Sequence, residues 1–166
     1  MKTYVMIPTY NERENIGNLI QEILYLKISD LHIVVVDDNS PDGTSVVVKD
    51  LSREHQEVEL LLRTTERGRG AAGIAGFKHA LEHGADCIIE MDADFSHHPK
   101  YIPSMLAAIQ NADMVIGSRF ISGGEDVNRE GSHHVRHRAR GPRRHRHRVA
   151  GRGPVITNRD TPLVPP

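Results

Sequence analysis

The sequence predicts an α/β domain with a mostly parallel sheet, followed by an irregular C-terminal tail. Three observations carry that reading. Short apolar runs, such as residues 33–36 and 87–91, alternate with stretches whose apolar residues recur at helical spacing, the pattern of βαβ units. Two acidic clusters, Asp37-Asp38 and Asp92-Ala93-Asp94, directly follow those two runs. The alternation stops near Gly123, and beyond it Arg, His, Gly, Pro and Ala dominate.

In chain order, residues 4–8 read as a first strand, ended by Pro8 because proline has no donor for the ladder. Ile16, Leu19, Ile20, Ile23 and Leu24 place a helix from about Glu12 to Leu26. Residues 32–36 form a second strand. The turn cluster 39–44 follows, and Val47, Val48 and Leu51 mark a second helix. Residues 58–62 are a third strand, and Gly68-Arg69-Gly70 a glycine-containing loop. Residues 71–83 form a helix with Ile74, Phe77 and Leu81 on its apolar side. A fourth strand covers 86–91. Pro99 suits the first turn of a helix whose apolar face is Ile102, Met105, Leu106 and Ile109, and 113–117 is a fifth strand. Crossovers in such sheets are nearly always right-handed, so residues 1–124 read as a Rossmann-like half.

The 166 residues suit one core. Their formal charge of −1 hides a split: residues 1–124 carry 11 Lys+Arg against 18 Asp+Glu, while 125–166 carry 10 Arg against 4 acids and five of the eleven His. Residues 125–166 lack apolar periodicity and are expected to be disordered, because they cannot bury enough surface to offset ordering entropy. The expectation is that a frameshift in a GC-rich gene replaced the native C-terminal part, since such a composition is typical of out-of-frame translation. Attraction to anionic lipid or nucleic acid and weak metal binding by the histidines are the rival readings of the tail. Cys87 is the only cysteine, so no internal disulfide forms, and inside an apolar run it reads as a small hydrophobe. No apolar run approaches the roughly 18 residues of a membrane span, and residues 1–8 lack the layout of a signal peptide. The expectation is a cytoplasmic chain, peripheral at the cytoplasmic face of a membrane at most.

In an open α/β sheet, ligands bind beyond the carboxyl ends of the strands, so both acidic clusters face one crevice. Asp92 and Asp94, one residue apart, can reach one hard divalent cation, which favours oxygen ligands shared with phosphates. One of them could instead only cap the next helix. Asp37-Asp38 could accept hydrogen bonds from a base or a ribose, and adjacent like charges repel unless something binds them. Asp42 and Thr44 are equally readable as a turn and helix cap. In the loop after the first strand, Tyr10 offers a flat face for a base and Glu12 an acceptor. Arg119, in Gly117-Ser118-Arg119, could sit over a phosphate or form a surface ion pair. His97 and His98 read as loop residues, or one as a substrate contact. Gly73 and Gly76 read as helix-packing positions. A phosphoacceptor receiver domain is excluded: no lysine follows Lys100, and a full βα unit precedes Asp37-Asp38.

Four segments in order carry a resemblance: Ile7-Pro8-Thr9-Tyr10-Asn11-Glu12-Arg13-Glu14-Asn15-Ile16, Val36-Asp37-Asp38-Asn39-Ser40-Pro41-Asp42-Gly43-Thr44, Met91-Asp92-Ala93-Asp94-Phe95-Ser96-His97-His98-Pro99-Lys100 and Gly117-Ser118-Arg119-Phe120. Residues 1–124 resemble the dolichol-phosphate (polyprenyl-phosphate) mannosyltransferases of glycosyltransferase family 2, which have the GT-A fold. The Ser-Pro-Asp-Gly-Thr and Ser-His-His-Pro segments favour this branch over the glucosyl and aminoarabinosyl branches.

The resemblance implies transfer of mannose from GDP-mannose to a polyprenyl phosphate with inversion. Pro8, Tyr10, Glu12, Val36 and Asp38 would hold the guanosine. Asp92, Ala93 and Asp94 would bind the diphosphate and sugar, with Asp92 and Asp94 on Mg²⁺ or Mn²⁺. Ser96 stands where relatives often carry Gln, and would contact the metal or phosphate. Arg119 would meet the substrate phosphates, making Asp94 and Arg119 the catalytic pair. The implied partners are GDP-mannose, a lipid phosphate at a membrane surface and a membrane-anchored subunit, with no nucleic acid. The acceptor-side motifs of the family are not found in 125–166, so a truncated or frameshifted non-catalytic GDP-sugar-binding remnant is the alternative, with a related glucosyltransferase behind it.

Overall fold

A computed structural model describes residues 1–65, 67–118 and 155–156, in two compact units, Met1–Lys100 and the chain from Tyr101 onward. The first unit holds β1 (Thr3–Thr9), α1 (Arg13–Tyr25), β2 (Leu31–Asp37), α2 (Thr44–Glu54), β3 (Val58–Leu62), α3 (Arg69–Glu82) and β4 (Cys87–Glu90). Its strands pair in parallel in the order β3-β2-β1-β4, as the alternating pattern predicts.

The strand order positions the site. From β1 the chain steps to β2 and β3 on one side, then crosses back to lay β4 on the other side of β1. Right-handed crossovers in opposite directions place their helices on opposite faces. The loops leaving β1 and β3 therefore run to opposite faces and leave the carboxyl ends of the strands open, where ligands bind in such sheets.

Both sheet faces are covered, which explains the unbroken apolar run of β2. Tyr4, Met6, Val34 and Val36 pack with Ala72 and Ala80 of α3. Val5, Ile7, Ile33 and Val35 point the other way by strand alternation and are 0% exposed, as are Ile16, Leu19 and Ile20 of α1. The stripe predicted for α1 is therefore buried, apart from half-buried Leu24. Half-buried Cys87 fits its packing role, and burial pushes its thiol up.

Three expectations need correction. Pro8 does not end β1: the strand continues to Thr9, with Pro8 opposite Val36. Met6 accepts from Met91 N on the β4 side and Thr9 accepts from Asp38 N on the β2 side, so the position of Pro8 faces β4. The β1–β4 ladder stops at Met6 and Glu90, so the missing N–H of Pro8 costs no bond.

The second correction concerns α3. Ile74, Phe77 and Leu81 are 59%, 38% and 63% exposed, and the buried residues are Ala72, Gly73, Gly76 and Ala80. The helix lies too close to the sheet for large side chains. A Cβ on Gly76 would stand 2.4 Å from Met6 Cγ and 2.9 Å from Val36 Cγ2, so the packing role of Gly76 is physical. The loop expected at residues 68–70 is also shorter, since Arg69 and Gly70 already belong to α3.

The third concerns the fifth strand. In the second unit, a 3-10 turn ending at Tyr101 leads into α4 (Ile102–Ala108), followed by β5 (Ile116–Gly117), which pairs in parallel with β6 (Val155–Ile156) in a separate two-stranded sheet. The strand expected over 113–117 shrinks to two residues. Met114 and Ile116 are 69% and 60% exposed, so the run lacks the packed face that holds a longer strand. Ile102 is buried, while Met105, Leu106 and Ile109 are half-buried. Apart from β6, the irregular tail read over 125–166 lies outside the described residues. Among the described residues, no helix is long and apolar enough to cross a membrane.

Candidate functional site

A cleft of about 480 Å³ opens at the carboxyl ends of the strands. Pro8, Tyr10 and Glu12 after β1, Asp38 after β2, Arg67, Gly68 and Arg69 at the start of α3, and Asp92, Ala93 and Asp94 after β4 line it. Seven of the ten donor-binding residues named from the sequence thus converge on one space. Of the other three, Val36 is 0% exposed in the core behind it. Ser96 is half-buried and does not line it. Arg119 lies outside the described residues.

The Asp37-Asp38 wall is closed by its own hydrogen bonds. Asp37, 0% exposed, accepts from Thr9 Oγ1 at 2.9 Å, Ser40 N at 2.9 Å and Ser40 Oγ at 2.6 Å. Asp38, 5% exposed, accepts from Arg63 at 2.6 Å and from Gly68 N at 2.7 Å. Two adjacent carboxylates are therefore tolerated because each has its own donors. Asp38 also ties the loop before α3 to the end of β2.

The next turn laces this wall to the first loop. Ser40 Oγ accepts from Asn11 N, Thr44 Oγ1 from Glu12 N, and Asp42 Oδ2 from Arg13 N, at 2.9, 2.9 and 3.0 Å. Asp42 Oδ1 takes the Thr44 amide and hydroxyl, so this one turn caps the starts of both α1 and α2. Burial pushes the Asp42 carboxyl up, but the bonds from Thr44 and Arg13 outweigh it and hold it below its usual value. Turn and cap are the observed roles of Asp42 and Thr44. Tyr10, 52% exposed, is left standing over the cleft.

The Asp92–Asp94 wall is open. Phe95 turns the chain in the left-handed region at φ 61°, a genuine outlier for a bulky residue and the kind of strain that gathers at functional sites. That turn brings Ser96 N to 3.0 Å from Asp94 Oδ1. Hydrogen bonding from the Ser96 side chain, against some burial, holds the Asp94 carboxyl below its usual value. Asp92 Oδ1 meets the Arg69 guanidinium at 2.6 Å. His97 Nδ1 accepts from Asp92 N at 3.0 Å, and His98 Nδ1 lies 3.8 Å from Glu22, so both histidines hold the loop. The pair Asp92 and Asp94 offers carboxylate oxygens of the kind a hard divalent cation takes.

Three basic residues were missed by the sequence reading. Arg63 pairs with Asp38, and Arg67 and Arg69 line the cleft. The only signal was an Arg-Gly-Arg run after the third strand, at the same end as both acidic clusters.

Residues 4–159 match the family model described as Glycosyl transferase family 2. Over 128 residues the chain is 44% identical to an undecaprenyl-phosphate mannosyltransferase of Micrococcus luteus, covering 77% of this chain and 52% of that protein. Over 130 residues it is 45% identical to a dolichol-phosphate mannosyltransferase of Pyrococcus furiosus, covering 77% of this chain and 36% of that protein. Among solved structures, a mannosyltransferase of Pyrobaculum calidifontis in complex with GDP-Man and Mn²⁺ superposes with a TM-score of 0.54 at 25% identity, covering 71% of this chain and 35% of that one. The chain thus spans between about a third and a half of the length of these relatives.

Proposed function

This chain belongs to glycosyl transferase family 2, and from that premise we propose that it is the donor-binding part of a metal-dependent transferase moving mannose from GDP-mannose to a polyprenyl phosphate. The observation that carries the reading is the convergence of Tyr10, Glu12, Asp38, Asp92 and Asp94 on one cleft. Relatives named as polyprenyl-phosphate mannosyltransferases supply the substrate class.

In this reading the nucleoside lies against Tyr10, with Glu12 and Asp38 at its polar edge. The pyrophosphate runs toward Arg67 and Arg69. Asp92 and Asp94 would hold Mg²⁺ or Mn²⁺, which when bound supplies charge neutralisation on the departing diphosphate. Arg69 already sits on Asp92 Oδ1, so it orients that carboxylate at the cleft wall. The acceptor phosphate, with a second pKa near 6, is anionic at neutral pH and needs no strong general base. The residues must therefore supply alignment and charge complementarity, and a single displacement inverts the anomeric carbon. Arg119 is assigned to the substrate phosphates, and Asp94 and Arg119 to catalysis. The lipid acceptor would place the protein at the cytoplasmic face of a membrane, beside a membrane-anchored subunit.

A second reading is that it binds the donor and metal without transferring: the cleft residues described all carry donor-side roles in the first reading. A transfer assay with GDP-mannose, Mn²⁺ and a polyprenyl phosphate, with GDP binding measured beside it, separates the two. Transfer eliminates the binding-only reading, and Mn²⁺-dependent GDP binding without transfer eliminates the enzyme reading. Absence of both defeats the donor site itself.

A further inference from the structure

The amino ends of the strands gather a second group of side chains that the donor cleft does not use. Tyr4 is the second residue of β1 and Glu59 the second of β3, while α3 runs back over the sheet and brings His79 and His83 there, one turn apart. His79 Nε2 lies 2.6 Å from Glu59 Oε2, and the two imidazole rings stack with centroids 4.1 Å apart. One donor atom from each of Glu59, His79 and His83 lies within 4.8 Å of the other two. We propose that Glu59, His79 and His83 form a binding site for a borderline transition-metal cation of the Zn²⁺ class, separate from the donor cleft.

The chemistry of the donors selects the metal. Two imidazoles and one carboxylate form a three-ligand set suited to Zn²⁺, Ni²⁺ or Cu²⁺, with a further position open to water. The all-oxygen pair at Asp92 and Asp94 suits Mg²⁺ or Mn²⁺ instead, so the two ends of the sheet select different ions. The outer partners are already in place. His83 Nδ1 stands 2.7 Å from the His79 carbonyl. A carbonyl only accepts, so Nδ1 donates and Nε2 is the nitrogen left for a cation. Glu59 Oε1 accepts from the Tyr4 hydroxyl at 3.1 Å. That bond holds one oxygen of Glu59 and leaves Oε2 toward His79.

Binding substitutes the cation for the proton between His79 and Glu59, and His79 then ligates through Nε2 as a neutral ring whose remaining proton sits on Nδ1. Two ligands at ~2.1 Å in a tetrahedron stand ~3.4 Å apart, so the 2.6 Å pair must open by less than 1 Å. Glu59 lies on an edge strand and is half-buried, and His83 is exposed. The site is therefore reachable and free to adjust.

The test is titration of the full chain with ZnCl₂ by calorimetry, paired with the visible spectrum of the Co²⁺-loaded protein. His133, His134, His137, His145 and His147 offer competing ligands, so the difference between wild type and His83→Ala is the quantity read. Wild type is expected to take up one equivalent more Zn²⁺ than His83→Ala. It should also show a Co²⁺ absorption of tetrahedral type that His83→Ala and Glu59→Gln both lose. Asp94→Asn should keep the uptake and the spectrum. Equal uptake with identical spectra in wild type and His83→Ala overturns the site, and loss of both in Asp94→Asn overturns its independence from the donor cleft.

Discussion

The two acidic walls of the cleft look alike in sequence and are built in opposite ways. Asp37 and Asp38 are 0% and 5% exposed and hold five hydrogen bonds from Thr9, Ser40, Arg63 and Gly68. Asp94 is exposed and Asp92 half-buried, on a loop bent through a left-handed Phe95. Fixed donors hold both carboxylates of the first pair in place; in the second, Arg69 holds one oxygen of Asp92 while Asp94 stays exposed to a ligand. The first wall therefore frames the site and the second is proposed to do its chemistry.

Four measurements would break or sharpen that contrast. The largest effect is expected for Arg63→Ala, which leaves the buried Asp38 charge without its ion partner. A loss of about 3–5 kcal/mol in urea unfolding is expected, and a loss below about 1 kcal/mol would show that Gly68 N alone suffices. Next is Asp94→Asn. Mn²⁺-dependent GDP binding by calorimetry should weaken about a hundredfold with the unfolding midpoint unchanged; unaltered binding would remove Asp94 from the metal site.

Gly76→Ala should cost about 1–3 kcal/mol by overpacking Met6 and Val36, less up to ~1 kcal/mol of helix propensity. A net gain in stability would show that α3 can lift from the sheet. The smallest effect is on the turn that laces the first wall to the loop after β1. Asp42→Ala should cost about 1 kcal/mol as a lost cap. The folded pKa of Asp42 is lowered from 3.8, so its contribution is fully present above that value and fades as pH falls through the lowered one. The wild-type advantage over Asp42→Ala should accordingly hold at pH 6 and shrink below pH 4. A constant difference across that range would exclude the carboxylate as the stabilising group.

Much of this was legible along the chain. The α1 stripe, the apolar run of β2 and the turn at residues 39–44 are local patterns, and each became the expected element. The cleft residues Tyr10, Glu12, Asp38, Asp92 and Asp94 were readable because strand ends share one side of a parallel sheet. The face of α3 was not. Periodicity marks large apolar residues, and here the buried face is Ala72, Gly73, Gly76 and Ala80, chosen by the closeness of helix and sheet. Arg63 was equally hidden, since nothing near it in sequence marks Asp38, 25 residues away, as its partner.

By itself, then, the sequence determined the α/β class, the parallel strands and the family, because these follow from periodicity and from short motifs in order. Only the tertiary structure decided which carboxylates are spoken for. It sets β4 beside β1, ties Asp38 to Arg63 and Gly68, and leaves Asp92 and Asp94 on an open loop. The physical reason is that a carboxylate's role depends on the donors around it, and those donors come from segments far apart in the chain.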